Sequence, residues 1–497
     1  MSGLIKEFMA EKRSRAYYDG LLAEMAELND EYHAFNLLNE NMPRHTAGSV
    51  PFSTKANICV EGFEANAGSR MLEGYVPPYN STVAERMLAS KNVRFVWVRD
   101  VTGLMQLTLL KDSAKPELIK VVDTLSQNDF LVASGTVPNE IKANSGAEIL
   151  PDEIKVVGRA LEPSPIDVEG HIESSFDKRF DWRALDLRNP SNAAIFRIEA
   201  KLMEGMRRHL GSHGFTEVFT PSLMGMPSEG GSEVFSLRHF GKTAYLRQDP
   251  QLHRDLLMLA GFERVYEIGP SWRAELSNTP RHLTEHRTCA AEMSFISDEK
   301  DLIRFESKFV EAAVKRVVTA CEGELKLLNV QLPVPKAPFP VVKFPQIYDI
   351  LEGMGKKVEF GEDYDHEGEL LLSKYVKEKY NSDFFFVDHF PFKVKPFYVM
   401  RVEKDPQWAR SIDLIYKGLE LSTGGQREHR YDVLMEQAKE KGLDLDNLKW
   451  FTDFFKYGAP PHGGFSLGIE RFTARLLNIE NIRETTLFPR APERLVP

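Results

Sequence analysis

The sequence predicts an α+β protein: an antiparallel hairpin set among amphipathic helices, with a smaller β-rich unit ahead of it. Three observations predict this. In residues 261–295, β-branched and aromatic residues alternate with charged ones on either side of a polar loop containing Pro and Asn. Residues 92–167 hold short β-rich runs separated by Gly and Asp turns. Further on, Ile195, Ile198, Leu202 and Met206 recur at helical spacing. A chain of 497 residues has room for about three domains of roughly 150 residues each.

In order, residues 2–39 read as one or two acidic amphipathic helices. VPFSTKANICVEGFEANAGSRMLEGYVPPYNSTVAERML follows, and its Lys55 reads as a strand-end lysine. The runs VRFVWVRD, LMQLTLL, NDFLVASGTV and DEIKVVGRALE come next, with a helix starting near Pro116 and Glu117 between the second and third. That is the pattern of an OB-fold barrel. Residues 169–188 form a charged linker, and the helix carrying Ile195 leads into FTEVFTP, a strand ending at Pro221. The paired glycines of SEGGSE restrict the backbone least and mark a mobile turn. The hairpin is expected to run from Arg264 through Glu275, turn at Ser277–His282, and return from Glu292 to Phe295. Residues 320–364, rich in Pro and Lys, read as an insertion, and FFFVDHFPFKVKPFY as a central strand with its turn. YGAPPHGGFSLGIER is a glycine-rich turn entering a helix.

The hairpin puts Arg273 and Glu275 on one face and Arg281 and His282 at the loop end. Guanidiniums and an imidazole converging from a sheet suit a polyphosphate, because arginine offers always-charged donors in a fixed fork. A net charge of -10 argues against a surface that grips nucleic acid everywhere, but permits a local basic face. Cys59, Cys289 and Cys321 have neither metal nor disulfide spacing, which predicts a reducing cytoplasm. No run of about 18 apolar residues and no signal peptide is visible, so no membrane partner is expected.

RAELSNTPRHLTEH…EM resembles motif 2 of the class II aminoacyl-tRNA synthetases, in their aspartyl and asparaginyl branch. GIER at the end of the glycine-rich turn resembles motif 3, and the Ile195 helix with Pro221 resembles motif 1, the homodimer element. The resemblance implies the class II fold, an antiparallel sheet flanked by helices. It implies ATP and Mg²⁺, with Arg273 on the α-phosphate and Glu275 at the adenine or the tRNA 3′ end. Arg281, His282 and Gly468 would join the nucleotide site, and Arg471 would reach the γ-phosphate. Glu420 with Thr423, in a stretch similar to EIxSGGQR, would hold the metal between phosphates. One carboxylate suffices there, since Mg²⁺ takes phosphate oxygens as its other ligands.

For the amino acid, the resemblance points to Glu229 in the mobile turn, Gln251, Arg427 as clamp on the side-chain carboxylate, and His462. YLRQDPQLHRD departs from the family's QSPQLYKQ: Asp249 replaces Ser, and Arg254 replaces the Lys that contacts the substrate. The family's motif 2 acid that meets the α-amino group aligns with Ala290, and Asp249 is expected to supply the missing charge. In the OB-like stretch, Phe95 matches the aromatic that stacks an anticodon base, and Gln106 and Glu148 match base-reading positions.

Residues 1–91 resemble an N-terminal fragment of the amidase-type A subunit of glutamyl/aspartyl-tRNA amidotransferase. With Ala56 in place of that family's Asp, and its two serines missing beyond residue 90, no working amidase is expected. The expected division is residues 1–91, an OB-fold anticodon domain at 92–167, a linker at 168–188 and a catalytic domain at 189–497. The expected activity is aspartate–tRNA ligation by a cytoplasmic homodimer with no DNA partner. The aspartate tRNA is the expected acceptor, with the asparagine tRNA as an open second one. The alternatives are an asparaginyl-tRNA synthetase, an asparagine-making enzyme of the same fold, and a non-catalytic tRNA-binding paralogue.

Overall fold

The computed structural model describes residues 93–497 apart from 101–102, 111–113, 142, 144–145, 170–171, 173, 227–232, 275, 277–278 and 281. The amidase-like stretch with Lys55 lies outside the described residues, as do Glu229, Glu275 and Arg281. The chain divides into two compact units, one ending at Pro163 and one running from Ser164 to Pro497.

In the first unit, β1 (Val93–Arg99), β2 (Leu104–Leu110), β3 (Phe130–Thr136) and β4 (Glu148–Gly158) form a sheet in the order β1-β2-β4-β3. α1 (Pro116–Asp123) falls between β2 and β3, and Pro116 opens it where a missing N–H costs nothing. Strand alternation sorts the side chains. Val96 and Val98 pack on Leu107, Leu109 and Leu118, while Phe95 and Trp97 are 53% and 43% exposed.

The second unit is built on an eight-stranded sheet. Its strands are β5 (Thr216–Glu217), β9 (Arg264–Trp272), β10 (Glu285–Ser294), β11 (Val341–Lys343), β12 (Phe384–Asp388), β13 (Ser411–Tyr416), β14 (Glu420–Gln426) and β15 (His462–Gly468). They lie in the order β11-β12-β13-β14-β15-β10-β9-β5, antiparallel except for the two edge pairs. A small three-stranded sheet holds β6 (Leu223–Met224), β7 (Ser236–His239) and β8 (Lys242–Leu246).

The central hairpin differs from expectation at both ends. β9 stops at Trp272, and β10 starts at Glu285 rather than Glu292. The run Thr288–Cys289–Ala290–Ala291 hid the strand, because alanine has low β propensity and Ala290 and Ala291 are buried on opposite faces. FTEVFTP contributes only the two residues of β5 to the sheet. Within the stretch read as a linker, Phe176–Asp181 and Arg183–Asp186 are helical. Arg183 is buried there, bonded to Asp186 and to the carbonyls of Glu484, Thr486 and Leu487.

α2 (Pro190–Ser212) and α4 (Glu299–Ala320) cover one face of the sheet, with α3 (Gln251–Leu259) between them in sequence. Asn189 caps α2 through Ser191 N–H, and Asp298 caps α4 through Lys300 N–H. Ile195, Ile198, Leu202 and Met206 are buried as expected, in one core with Phe309, Val314, Cys289, Ala291, Phe465 and Leu467. Burying each large aliphatic stabilises the fold by roughly 1.5–3 kcal/mol. α2 and α4 approach closely at Gly205, where a Cβ would stand 2.9 Å from Ala313 Cα. Two further helices, α5 (Tyr431–Glu440) and α6 (Leu445–Phe455), precede β15, and α7 (Ile469–Leu476) follows it directly. Among the described residues no helix is long and apolar enough to cross a membrane.

Candidate active site

Alternation along the sheet decides where the chemistry lies. Cys289, Ala291, Phe465 and Leu467 point to the helices, so Thr288 of β10 and Ser466 of β15 point the other way. On that second face is a cavity of about 400 Å³. Asp249, Gln251, Arg273, His282, Glu420, Thr423, Arg427, Gly468 and Arg471 all line it, as the sequence predicted for a single site.

One end gathers cations around a pair of acids. Arg471 stands in the first turn of α7, with Nη1 donating to the Glu420 carbonyl at 3.3 Å and standing 3.7 Å from its carboxylate. His286 lies between the positive groups: burial first, then Arg273 and Arg471, push its imidazole down to about 4. It is therefore neutral at physiological pH, and the depression reports that both guanidiniums act on one spot. Glu420 opens onto the cavity yet is hemmed in by protein; burial and the neighbouring Asp413 carboxylate push it up to about 7. Thr423 Oγ1 donates to Asp413 Oδ1 at 2.6 Å, and Lys395 Nζ sits 3.0 Å from Asp413 Oδ2.

Asp413, Lys395 and His286 escaped the sequence reading. Asp413 is the acidic residue of the buried β13 run SIDLIY, and a lone acid in a wholly buried strand was the available signal. The acid pair with the Thr423 hydroxyl fits a hard divalent cation: it offers oxygen donors, and a cation would favour the charged form of Glu420 that burial first, and then Asp413, oppose.

The other end is a network of buried charges. Arg427 donates from Nε to Glu292 at 3.0 Å and from Nη2 to Gln251 Oε1 at 2.9 Å and the Gly464 carbonyl at 3.2 Å. Arg254, expected at the substrate, instead lies fully buried behind the wall, donating to Asp249 at 2.7 Å and to Gln251 Oε1 at 3.0 Å. Of the Asp249–Arg254 pair, Asp249 is the one that faces the cavity. Burial works against its charge, but Arg254, Arg427 and the Ser466 hydroxyl hold its carboxyl below the usual value. Ala290 is paired across the strands with Ser466, so the acid-to-alanine change and Asp249 meet at one place. His462 is fully buried and lies behind the cavity wall, against Asp255.

The glycines of β15 make this network possible. A Cβ on Gly464 would lie 2.1 Å from the Ala291 carbonyl and 2.2 Å from the Glu292 carboxylate. Gly464→Ala is expected to displace Glu292, costing about 1–3 kcal/mol of stability. A thermal melt that matches the parent protein would contradict this.

The first unit carries a separate candidate surface. On the face of Phe95 and Trp97, Thr108 Oγ1 bonds Glu148 Oε1 at 2.5 Å and Gln106 Nε2 bonds Thr108 Oγ1 at 2.9 Å. Register places Phe95 opposite Thr108 and Trp97 opposite Gln106. An exposed aromatic pair beside buried amide and carboxylate groups suits a stacked base.

Residues 175–492 match the family model described as tRNA synthetases class II (D, K and N). The chain is 42% identical over 405 residues to the aspartate–tRNA(Asp) ligase of Pyrococcus horikoshii, covering 82% of this chain and 92% of that protein. It is 40% identical over 407 residues to the aspartate–tRNA(Asp/Asn) ligase of Aeropyrum pernix, again covering 82% and 92%. Among solved structures, the asparaginyl-tRNA synthetase of Pyrococcus horikoshii complexed with asparaginyl-adenylate superposes with a TM-score of 0.76 at 31% identity, covering 82% of this chain and 93% of that one.

Proposed function

The chain belongs to the class II tRNA synthetases (D, K and N), and from that membership we propose that it is an aspartate–tRNA ligase. The aspartate α-carboxylate attacks the α-phosphorus of ATP, the bond to pyrophosphate breaks, and aspartyl-adenylate forms. A ribose hydroxyl at the tRNA 3′ end then attacks the aspartyl carbonyl and AMP leaves. The observation that carries this reading is the single cavity holding Arg273, Arg471 and the Asp413–Glu420 pair at one end and Arg427 at the other.

Catalysis is electrostatic. Arg273 meets the α-phosphate and Arg471 the γ-phosphate, with His282 and Gly468 beside the nucleotide. Glu275 and Arg281 complete that site in this reading and lie outside the described residues. Asp413, Glu420 and the Thr423 hydroxyl would hold Mg²⁺, which neutralises phosphate charge when bound. Arg427 holds the side-chain carboxylate of aspartate, and Glu229 joins from outside the described residues.

Asp249 receives the α-ammonium in place of the acid lost at position 290, since it is the ionised carboxylate facing the cavity beside Ser466. Asp249→Asn keeps an acceptor for Arg254 but removes the charge. It is expected to raise KM for aspartate about 10- to 100-fold, the worth of a charged hydrogen bond. An unchanged KM in pyrophosphate exchange would sink this assignment.

Phe95, with Gln106 and Glu148, reads an anticodon base of the aspartate tRNA, and of the asparagine tRNA if both are charged. Residues 92–167 are the anticodon domain, 168–188 the connection, 189–497 the catalytic domain, and residues 1–91 an amidase-like appendage. A homodimer is supported by exposed Phe219 beside edge strand β5, and by exposed Phe262 and Phe295 at one end of the β9–β10 hairpin. The cytoplasm suits an enzyme whose Cys289 and Cys321 are free.

One observation favours asparagine as a second reading: Arg254 and Arg427 already carry the carboxylates of Asp249 and Glu292. Amino-acid-dependent ATP–pyrophosphate exchange with aspartate, asparagine and glutamate decides between them. Exchange with aspartate alone supports the first, with asparagine alone the second, and none with any of the three removes both.

A further inference from the structure

The buried group behind the amino-acid end has an arrangement that the proposed reaction does not use. Gln251 stands at its centre with every hydrogen-bonding position filled. Its Nε2 donates to Asp255 at 2.7 Å and to Glu292 at 2.8 Å. Its Oε1 accepts from Arg254 at 3.0 Å and from Arg427 at 2.9 Å. An amide saturated in this way has nothing left to offer a substrate. Its service is to fix the two acids and the two guanidiniums relative to one another, although it also reaches the cavity wall.

The far side of this group is His462. Its Nδ1 lies 2.9 Å from the Pro460 carbonyl, which has only lone pairs, so Nδ1 carries a proton. In a neutral ring Nε2 would then be a bare acceptor, and it faces Asp255 Oδ1, another acceptor, at 3.6 Å. Both Nε2 of His462 and Oδ2 of Asp255 are buried without a hydrogen-bond partner. Nε2 thus lies against a carboxylate oxygen that already accepts from Gln251, acceptor against acceptor in a dry interior, and one proton on Nε2 turns that contact from repulsive to attractive. A metal ion does not solve the problem, because Gln251 and Arg427 already occupy both Glu292 oxygens.

We propose that His462 is a positioning residue for amino-acid binding: as an imidazolium between Pro460 and Asp255, it fixes the carboxylate that orients Gln251, and through Gln251 both Arg254 and Arg427. The proposal rests on the reading of this end of the cavity as the aspartate site. The charged and titratable groups around the ring are Asp255 from α3, Glu292 from β10, and Arg427 and His429 after β14. Phe455 of α6 closes it with a ring 6.3 Å away. Burial opposes the proton, but the adjacent Asp255 carboxylate, then Glu292 and the Pro460 carbonyl, raise the imidazole above its ordinary 6.5. The sign follows. The charged form is fully present below 6.5 and is lost as pH rises through the raised value. Aspartate affinity therefore falls on the alkaline side, while ATP affinity, set at the opposite end of the cavity, does not follow it.

The test is aspartate-dependent pyrophosphate exchange by the full chain from pH about 6 to about 9, with KM measured separately for aspartate and ATP. The parent protein is expected to show a KM for aspartate that rises with pH. His462→Gln should raise that KM about 100-fold, the penalty for a small misplacement of binding groups. Asp255→Asn is the discriminating variant: its amide can donate to a neutral His462 Nε2 and still accept from Gln251, so its KM for aspartate should no longer change with pH. A pH rise retained in Asp255→Asn, or an unaltered KM in His462→Gln, overturns the proposal. If His462→Gln does not fold, ¹⁵N shifts of labelled histidine in the parent protein at neutral pH decide instead. Protons on both His462 nitrogens support the proposal, and one bare nitrogen overturns it. Absence of exchange in the parent protein with any amino acid would strike the functional reading, and the ¹⁵N result would still report on the His462–Asp255 pair.

Discussion

Arg471→Ala is expected to lower kcat/KM for ATP in pyrophosphate exchange about 1,000-fold, with little change in the melting temperature. The first half follows from position. Arg471 is in the first turn of α7, its guanidinium is tethered to the Glu420 carbonyl, and it lines the cavity on which Arg273 also converges. Both guanidiniums act on the neighbouring His286, whose imidazole is pushed down to about 4 by burial first and then by Arg273 and Arg471. A leaving pyrophosphate develops charge where a preorganised donor is worth far more than in water. The second half follows from exposure, since the Arg471 side chain is one-third open and Glu420, its nearest acid, is more open still, so their contact adds little to stability. Arg471→Lys should fall between the two, because a single ammonium cannot serve Glu420 and a phosphate as a fork does. Exchange within tenfold of the parent protein would remove Arg471 from the reaction.

That prediction could be framed from the sequence because its chemistry is local. GIER sits at a strand-to-helix turn, and such a turn presents its first-turn side chain wherever the sheet face points. Arg273 was expected inside the outgoing strand, and the fold ends that strand one residue before it, at Trp272. The partners across strands were not legible. Asp413 is joined to Glu420 and Thr423 only by the antiparallel register of β13 and β14, which chain order does not state. Arg254 was expected at the substrate because it stands where a family lysine does. In the fold Asp249 turns back to meet it, and a pair five residues apart gives no hint whether it closes on itself or reaches out. His462 shares its strand face with Gly464 and Ser466, so alternation alone places it toward the cavity. α3 packs Asp255 against that end of β15 and takes the ring out of reach. Alternation fixes the face of a side chain, and only tertiary packing decides whether that face is still open.

Arg427 carries the second large effect, and here stability and activity move together. Arg427→Leu takes the guanidinium away from Glu292, which is fully buried and keeps the Gln251 amide as a donor at 2.8 Å. Stranding a buried carboxylate in this way costs about 3–5 kcal/mol, so the melting temperature should drop well below that of the parent protein. Aspartate activation should fall about 1,000-fold or more, since the side-chain carboxylate loses its charge-assisted partner. A loss of activity in an unstable variant proves little by itself. The double variant Arg427→Leu/Glu292→Gln separates the two effects: it removes both charges at once, and the amide introduced by Glu292→Gln can still accept from Gln251. Most of the stability should return while aspartate activation does not, giving a strong coupling energy in melting and almost none in exchange. If activity returned along with stability, Arg427 would be a structural partner of Glu292 and the substrate carboxylate would have to be held elsewhere. If the single variant melted like the parent protein, the Arg427–Glu292 pair would not be what organises this end of the cavity, and the orientation of Gln251 would rest on Asp255 and Arg254.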